Sequence, residues 1–483
     1  MLFNSIEFAI FLPIVFIFYW LLRNNLTLQN YLLLISSYFF YGCWDYRFLF
    51  LLIFSTLLDY YTGIKMAETE KGVKKFWFWL SISVNLGFLG FFKYYNFFTT
   101  SFEEALTRLG IHANFWTLKV ILPVGISFYT FHGLSYVIDI YKGRIKPVKN
   151  FVEYSVFVSF FPLLVAGPIE RATHLLPQIR KRRSFDYARA TDGLRQILWG
   201  LLKKVVIADN CAKFVSTIFN HHHEYSGSTL VLGAVFFAIQ IYCDFSGYSD
   251  IALGTARLFG IELLRNFAFP YFSRDIAEFW RRWHISLSSW FRDYLYIPLG
   301  GSKVGTWMKV RNTFIIFLVS GFWHGANWTF VAWGAIHAFY FMPLLLLNKN
   351  RANLGIVAEG RILPSIRDLS NMALTFGLTV FAWIFFRSES IGQALSYISK
   401  IFSRSLFKVP DKIAFLGDYS PLTITLIIVV FVFIEWLGRE RQYALANMSV
   451  SCSKTFRWAI YYSIVFVIFY FKGTEHQFIY FQF

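Results

Sequence analysis

The run from residue 312 to residue 347, NTFIIFLVSGFWHGANWTFVAWGAIHAFYFMPLLLL, contains no Asp, Glu, Lys or Arg. An α-helix crosses the ~30 Å hydrocarbon core of a bilayer with ~20 residues, so this run is too long for a single spanning helix. Four residues that weaken a helix interrupt the run, namely Ser320, Gly321, Gly325 and Asn327. They predict two apolar segments, 313–323 and 326–347, and His324 lies at the break between them.

The rest of the chain has the same apolar character. Of its 483 residues, 56% are hydrophobic and 15% are charged, whereas an ordinary soluble protein is about 25% charged. We therefore predict an all-α polytopic membrane protein in which residues 1–483 form one integral membrane domain of about 11–13 transmembrane or re-entrant helices. Besides the two segments above, the candidate segments are 7–22, 31–42 with 46–60, 76–97, 119–140, 151–168, 193–208, 229–245, 370–386, 421–437 and 457–471.

The net charge of +18 would suggest nucleic acid in a soluble chain, but here Lys and Arg lie in the short connectors between apolar segments. Such connectors remain in the cytoplasm, so we predict contact with membrane lipid, no nucleic-acid partner and an extracytoplasmic amino terminus. The basic clusters are residues 65–75, 142–149, 171–183 and 265–311. Segment 151–168 then has cytoplasmic flanks on both sides and contains Pro162, Gly167 and Pro168, so we expect it to re-enter the membrane without crossing.

Two histidines in tryptophan-rich surroundings, His284 and His324, are the strongest functional candidates. An ionisable side chain at membrane depth is costly unless it is paired or has a function. Both histidines lie among Trp, Arg or Asn residues, which favours a functional site. The competing interpretation is a pair of hydrogen-bonded core histidines.

Residues 275–296, read as a single helix, have an amphipathic pattern. One stripe consists of aromatic and aliphatic residues, namely Phe279, Trp283, Leu287, Trp290 and Tyr294. Arg281, Arg282 and Arg292 face away from this stripe, and His284 lies on a neighbouring face from which it can point inward. The alternative is an interfacial helix whose arginines bind anionic lipid.

Other ionisable residues allow more than one interpretation. Asp244 and Asp250 lie in a polar cluster at the end of an apolar segment, where they either line a cavity or pair with an arginine. The run His221-His222-His223-Glu224 resembles a metal-binding tract. We place this run in a polar extracytoplasmic loop and predict no metal site.

The stretch from Phe279-Trp-Arg-Arg-Trp-His284 to Arg292-Asp-Tyr-Leu-Tyr-Ile-Pro-Leu-Gly-Gly301, followed by Ser320-Gly-Phe-Trp-His-Gly325, resembles the signature of the membrane-bound O-acyltransferase superfamily. Within it, the chain is most similar to the bacterial branch typified by the alginate O-acetylation membrane protein. Shorter motifs extend the resemblance along nearly the whole chain, namely Tyr41-Gly-Cys-Trp-Asp45, Phe91-Phe-Lys-Tyr94, Leu122-Pro-Val-Gly-Ile-Ser-Phe-Tyr129, Ala166-Gly-Pro-Ile-Glu-Arg171, Asp244-Phe-Ser-Gly-Tyr-Ser-Asp250 and Phe478-Ile-Tyr-Phe-Gln-Phe483.

This resemblance implies a helical bundle around a central tunnel, with residues 261–345 as the catalytic signature region. It implies that His324 and His284 meet inside the bundle. His324 matches the nearly invariant catalytic histidine of the family, and His284 matches a second, more variable one.

Acyl transfer from a thioester to a hydroxyl needs a base for the hydroxyl proton, and imidazole, with an ordinary pKa of ~6.5, suits this task near neutral pH. We predict that His324 is the general base and that His284 is a second catalytic residue. His284 would orient the donor, stabilise the oxyanion or carry the proton onward, and the sequence leaves these roles open.

The substrate-binding residues are predicted by type. Trp280, Trp283 and Trp323 supply apolar walls that exclude water, which would otherwise hydrolyse the thioester. Arg281, Arg282 and Arg292 are assigned to the phosphates of coenzyme A. Two assignments remain. Either Asn327 or a backbone carbonyl left without a helical partner at the break would fix the tautomer of His324. Asp244 would line the cavity.

We expect the protein to take acetyl from cytoplasmic acetyl-CoA, with no permanently bound cofactor, and to pass it across the bacterial inner membrane toward an extracytoplasmic polysaccharide. The resemblance implies a separate extracytoplasmic SGNH-type acetyltransferase as partner. One alternative is transfer of D-alanine or another acyl group from a carrier protein to teichoic acid. The other is a transporter of polysaccharide or of a lipid-linked precursor, which would not transfer thioester acyl groups.

Overall fold

The structure is a computed structural model that describes residues 1–111, 118, 121–165, 167–411, 419–448, 453–472 and 478. Across these residues all regular elements are helical and no β-strand is present. Six of the described helices are long and apolar enough to cross a membrane. The prediction of an all-α polytopic membrane protein is therefore confirmed.

The α-helices of the described residues are α1 Ile6–Leu21, α2 Leu26–Glu68, α3 Lys71–Leu89, α4 Tyr95–Arg108, α5 Ile126–Tyr141, α6 Phe151–Ser159, α7 Phe161–Leu164, α8 Ala172–Arg180, α9 Tyr187–Leu201, α10 Asp209–Asn220, α11 Gly227–Leu258, α12 Ile276–Arg282, α13 Ile285–Phe291, α14 Thr306–His324, α15 Trp328–Leu346, α16 Ile366–Arg387, α17 Ile391–Ile401, α18 Pro421–Gly438 and α19 Lys454–Tyr470. Short π-helical segments lie at Gly90–Tyr94, Leu202–Ala208 and Arg292–Tyr296, and 3₁₀ turns lie at Pro270–Phe272 and Arg404–Phe407.

The predicted apolar segments coincide with helices, with differences in extent. The paired segments 31–42 and 46–60 belong to one element, α2, which is kinked at Asp45 where the backbone is extended. Segment 229–245 lies within α11, which has 32 residues. The first two residues of segment 119–140 lie outside the described residues, and α5 begins later, at Ile126.

Segment 151–168 forms two short helices, α6 and α7, that are separated by the non-helical residue Phe160. At 1.5 Å per residue, the nine residues of α6 extend ~14 Å, about half of the hydrocarbon core. Residues 154–164 are all buried, which is the condition for irregular backbone at membrane depth. This geometry agrees with a re-entrant segment, whose sidedness stays a prediction.

The single helix predicted over residues 275–296 is wrong. The chain forms α12 and α13 instead, separated by Trp283 and His284, and His284 has a left-handed backbone with φ of 43°. Hydrogen bonds to a segment distant in sequence fix this break, because the amide of Ala268 donates to the carbonyl of Arg282 and the amide of Ile285 donates to the carbonyl of Asn266. Hydrophobic periodicity contains no information about such bonds.

The predicted break near His324 is confirmed, because α14 ends one residue beyond the predicted segment 313–323, but Ser320 and Gly321 do not interrupt the helix as expected. Helix α14 continues through Ser320 and Gly321 to His324, and α15 begins after the cap residue Asn327. Gly321 is therefore a helical residue.

The chain divides into two compact units, residues 1–190 with 255–264 and residues 191–254 with 265–483. Whether residues 1–483 function as one membrane domain stays a prediction. In the first unit, buried Asp59 of α2 accepts hydrogen bonds from Ser81 (2.6 Å) and Asn85 (2.8 Å) of α3. The second unit contains both signature histidines.

Cysteine labelling tests the predicted orientation. In a variant with the exposed Cys43 and Cys452 replaced by serine, cysteines at Lys71 and Lys146 are expected to react only from the cytoplasmic side, because basic connectors remain there. A cysteine at Glu224 is expected to react only from outside; this side chain is exposed, whereas the neighbouring His222 is buried. Reaction of the Lys146 site with an impermeant external maleimide would reverse the orientation.

Candidate active site

The two signature histidines lie next to each other. His324 is the last residue of α14, and His284 connects α12 to α13. Their ring centroids are 6.4 Å apart, and the residues are 3% and 0% exposed. The structure thus brings together the two residues predicted to be catalytic, and their roles stay predictions.

Close packing of α14 against α15 fixes the position of His324. A Cβ atom at Gly321 would overlap the carbonyl oxygen of Phe330, and a Cβ at Gly334 would overlap that of Phe317. Only glycine allows the two backbones to approach this closely. Gly321 therefore positions His324 by helix packing, in contrast to the break expected from the sequence.

Asn327 has a different task from the predicted one. Its Oδ1 accepts a hydrogen bond from the amide of Thr329 (3.0 Å), which caps α15. Its Nδ2 donates to the carbonyl of Glu389 (2.8 Å). Both polar atoms of the side chain thus hold the turn that follows His324, and neither bond involves the imidazole.

Aromatic rings surround the histidine pair. The His324 ring lies 4.9 Å from Trp323, 5.2 Å from Trp333 and 5.5 Å from Phe386, as centroid distances. Trp323 also contacts His284, at 6.1 Å. Trp323 thus contacts both histidines, and its predicted role in excluding water stays a prediction.

The other two predicted tryptophans lie further from His324. Trp283 is buried, and its ring lies 5.5 Å from Phe279 and 5.1 Å from Trp383. Trp280 lines a cavity and donates its indole N–H to Nδ1 of His337 (3.3 Å).

His337 is a third histidine of this aromatic cluster, and sequence reasoning overlooked it. It is 0% exposed, and its ring lies 5.0 Å from Trp333, which also contacts His324. The signal was available, because residue 337 lies in the uncharged run that contains His324. The His337 ring therefore belongs to the same aromatic cluster as His324, to which it is connected through Trp333.

A cavity of about 700 Å³ lies beside α14. Its apolar lining includes Trp280, Phe291, Ile316, Phe317 and Phe341, and its cationic lining comprises Arg292, Lys303 and Arg351. Ser320 also lines it and lies one helical turn before His324, so both residues share a face of α14. The cavity therefore combines an apolar wall with three cationic side chains, and neither His284 nor His324 is among its lining residues.

Of the three arginines assigned to phosphate, Arg292 lines the cavity. Arg281 donates to the carbonyls of Asn350 (2.8 Å) and Asn353 (2.7 Å). Arg282 pairs with Glu278 (2.8 Å) and donates to the carbonyl of Gly355 (3.0 Å). Arg281 and Arg282 thus hold the loop of residues 350–355, and phosphate binding by them stays a prediction.

Lys303 and Arg351, two of the three cationic lining residues, were not predicted. Lys303 follows the glycine turn that ends with Gly301, and Arg351 lies in the loop that Arg281 holds. Neither belongs to a recognisable motif, and only the fold places them beside Arg292.

The sequence left open whether Asp244 lines a cavity or pairs with an arginine. In the structure it is paired, and its partner is Lys204. Lys204 Nζ lies 2.8 Å from Asp244 and 2.8 Å from Asp209, and all three residues are buried. Lys203 forms a similar contact with Asp250 (2.9 Å). Asp244 is not among the residues that line the cavity beside α14, so its assignment to substrate stays a prediction.

Across the described ranges, no cluster of three or more His, Cys, Asp or Glu side chains has the arrangement of a metal site. The His221-His222-His223-Glu224 run is included in these ranges. His222 contacts the carbonyl of Phe219 and the hydroxyl of Ser396, both at 3.2 Å.

The structure is thus a helical membrane protein with two adjacent buried histidines and a cation-lined cavity that shares helix α14 with His324. Residues 142–386 match the model of MBOAT, the membrane-bound O-acyltransferase family. The chain belongs to this family and is an O-acyltransferase.

Several relatives agree with this assignment. The probable alginate O-acetylase AlgI of Pseudomonas aeruginosa is 36% identical over 92% of this chain and 82% of its own length. The peptidoglycan O-acetyltransferase of Helicobacter pylori is 32% identical over 100% of this chain and 98% of its own length. A teichoic acid D-alanyltransferase of Streptococcus thermophilus is 31% identical over 50% of this chain and 62% of its own length.

Proposed function

We propose that this membrane O-acyltransferase takes acetyl from cytoplasmic acetyl-CoA and passes it through the bacterial inner membrane for O-acetylation of an extracytoplasmic polysaccharide. The observation that carries the donor assignment is the cavity lined by Arg292, Lys303 and Arg351 beside α14. Coenzyme A carries phosphates, which attract these cations. Its thioester end requires the apolar surface that Trp280 and Phe317 provide.

In the proposed reaction, His324 takes the proton of an acceptor hydroxyl, and the hydroxyl oxygen attacks the thioester carbonyl carbon. The carbon–sulfur bond then breaks, and the thiolate receives the proton from the imidazolium, releasing coenzyme A. His284, 6.4 Å away between ring centroids, is close enough to act on the same carbonyl group. Trp323 and the neighbouring rings restrict water, which limits thioester hydrolysis.

The choice of acceptor is supported by two relatives that match more than nine tenths of this chain, whose names specify O-acetylation of alginate and of peptidoglycan. Both are extracytoplasmic polysaccharides, so we propose an acceptor of this class. Hand-over to an SGNH-type acetyltransferase partner is part of the proposal because the family resemblance implies it.

Neutralising the cationic lining tests the donor. Each charge-assisted hydrogen bond contributes ~1.5–3 kcal/mol, so Arg292→Gln combined with Lys303→Gln is expected to raise the KM for acetyl-CoA by ~10²-fold or more. Radiolabelled acetyl transfer in membrane vesicles measures the effect. Lys309→Gln, in the same basic stretch but outside the cavity lining, serves as the matched control.

An unchanged KM in the double variant would place the donor elsewhere. A protein that accepted acyl groups only from an acyl carrier protein would instead support the D-alanyl type of reaction.

A further inference from the structure

The backbone of His284 is in a conformation that needs support. Its φ of 43° lies in the left-handed region, which residues other than glycine rarely adopt. Neither ring nitrogen has a hydrogen-bond partner among the residues that the structure describes, and the residue is 0% exposed. The direction of this ring therefore depends on its backbone and on its aromatic neighbours, Phe245 at 4.6 Å and Trp323 at 6.1 Å.

Asn266 supports the residues that follow His284 through both its backbone and its side chain. Its carbonyl accepts a hydrogen bond from the amide of Ile285 (2.9 Å). Its side-chain Oδ1 accepts from the hydroxyl of Ser286 (2.6 Å). Asn266 thus binds the first turn of α13, directly after the left-handed residue.

The same side chain is anchored to another helix. Nδ2 of Asn266 donates to the hydroxyl of Ser249 in α11 (3.1 Å), and Asn266 is 1% exposed. One amide group therefore connects the start of α13 to a long helix of the second unit. Because both Oδ1 and Nδ2 are hydrogen-bonded, rotation of the Asn266 side chain is restricted.

We propose that Asn266 is a positioning residue for His284, holding its left-handed backbone so that the imidazole faces His324. The inference rests on the proposed function, because it requires His284 to act in acyl transfer. Small displacements of a reacting group reduce rates strongly, with ~1 Å costing up to ~10²-fold. Loss of the Asn266 amide is therefore expected to slow transfer by ~10- to 100-fold.

A double-mutant cycle separates positioning from a merely structural role. His284→Ala, Asn266→Ala and the double variant are compared for radiolabelled acetyl transfer from acetyl-CoA in vesicles, which makes small residual rates measurable. If Asn266 acts through His284, Asn266→Ala is expected to change the rate by less than about twofold once His284 is alanine.

Asn210→Ala is the matched control. Asn210 is also a buried asparagine of the second unit, and its Nδ2 donates to the carbonyls of Val205, Val206 and Phe471. Its effect is expected to be of equal size with and without His284. Membrane abundance and unfolding temperature in detergent are measured for every variant. Should Asn266→Ala fail to accumulate, Ser286→Ala, which removes only the hydroxyl that Oδ1 binds, replaces it in the same cycle.

The outcomes distinguish the two proposals. Equal slowing by Asn266→Ala in both backgrounds, with His284→Ala itself slow, would overturn the positioning role and leave the proposed function intact. Full activity of His284→Ala would remove His284 from the reaction, and with it both the positioning role and that part of the proposed mechanism.

Discussion

Replacing His324 with alanine is expected to lower polysaccharide acetylation by ~10²–10⁴-fold, the usual effect of losing a positioned general base. The protein is expected to accumulate normally, because the contacts that fix α14 against α15 are made by the backbone at Gly321 and Gly334. Acetate released by mild base from the isolated polysaccharide measures acetylation, and an immunoblot of membranes measures abundance.

His222→Ala is the control for the loss of a buried histidine. His222 belongs to the His221-His222-His223-Glu224 run and bonds to Phe219 and Ser396. Its replacement is expected to leave acetylation per amount of membrane protein within about twofold of the wild type, because the bonds of His222 are to Phe219 and Ser396 and do not involve His284, His324 or the cavity beside α14. If purified His324→Ala protein retained near-normal acyl transfer with its partner, the histidine would be structural.

Adding one methyl group at Gly321 is expected to reduce the amount of folded protein sharply. The new Cβ would overlap the backbone carbonyl of Phe330, which cannot rotate away as a side chain can. Helices α14 and α15 would have to separate, and overpacking of this kind typically lowers the free energy of unfolding by ~1–3 kcal/mol or more. Membrane abundance and unfolding temperature in detergent report the change for Gly321→Ala.

Gly377→Ala provides a control with the same chemical change. Gly377 lies inside α16, and a Cβ there would meet no atom within 4 Å. Because alanine favours a helix by ~1 kcal/mol over glycine, this variant is expected to be at least as stable as the wild type. Equal abundance of the two variants would contradict the role given to Gly321.

The helices were predictable because an apolar run that crosses the membrane core has to satisfy its backbone hydrogen bonds within a helix. The run from residue 312 to residue 347 is an example. Its length and the weak helix formers near His324 predicted two helices. The structure contains two helices there, α14 and α15. The role of Gly321 was not predictable, since glycine weakens an isolated helix but here allows close contact with the backbone of Phe330. Sequence pattern alone does not distinguish these two uses of glycine.

The candidate site was predictable where one motif contains the residue, as for His284 and His324. It was not predictable where distant segments meet. The left-handed turn at His284 depends on Asn266, 18 positions earlier, and the cavity obtains Arg351 from a loop that follows α15. The arginines of the motif were assigned to phosphate because the sequence shows their positive charge. The sequence does not show that the backbone carbonyls of Asn350 and Asn353 accept hydrogen bonds from Arg281.

The tethering of the loop of residues 350–355 has a thermodynamic consequence for donor binding. Arg281 and Arg282 bind the carbonyls of Asn350, Asn353 and Gly355. The loop that carries Arg351 is thus ordered in advance, so an incoming ligand has less conformational entropy to remove than it would from a mobile loop. Immobilising even one flexible side chain costs ~0.5–1.5 kcal/mol on binding. If the donor binds in the cavity as proposed, Arg281 and Arg282, which are not among the lining residues, would raise its affinity through preorganisation.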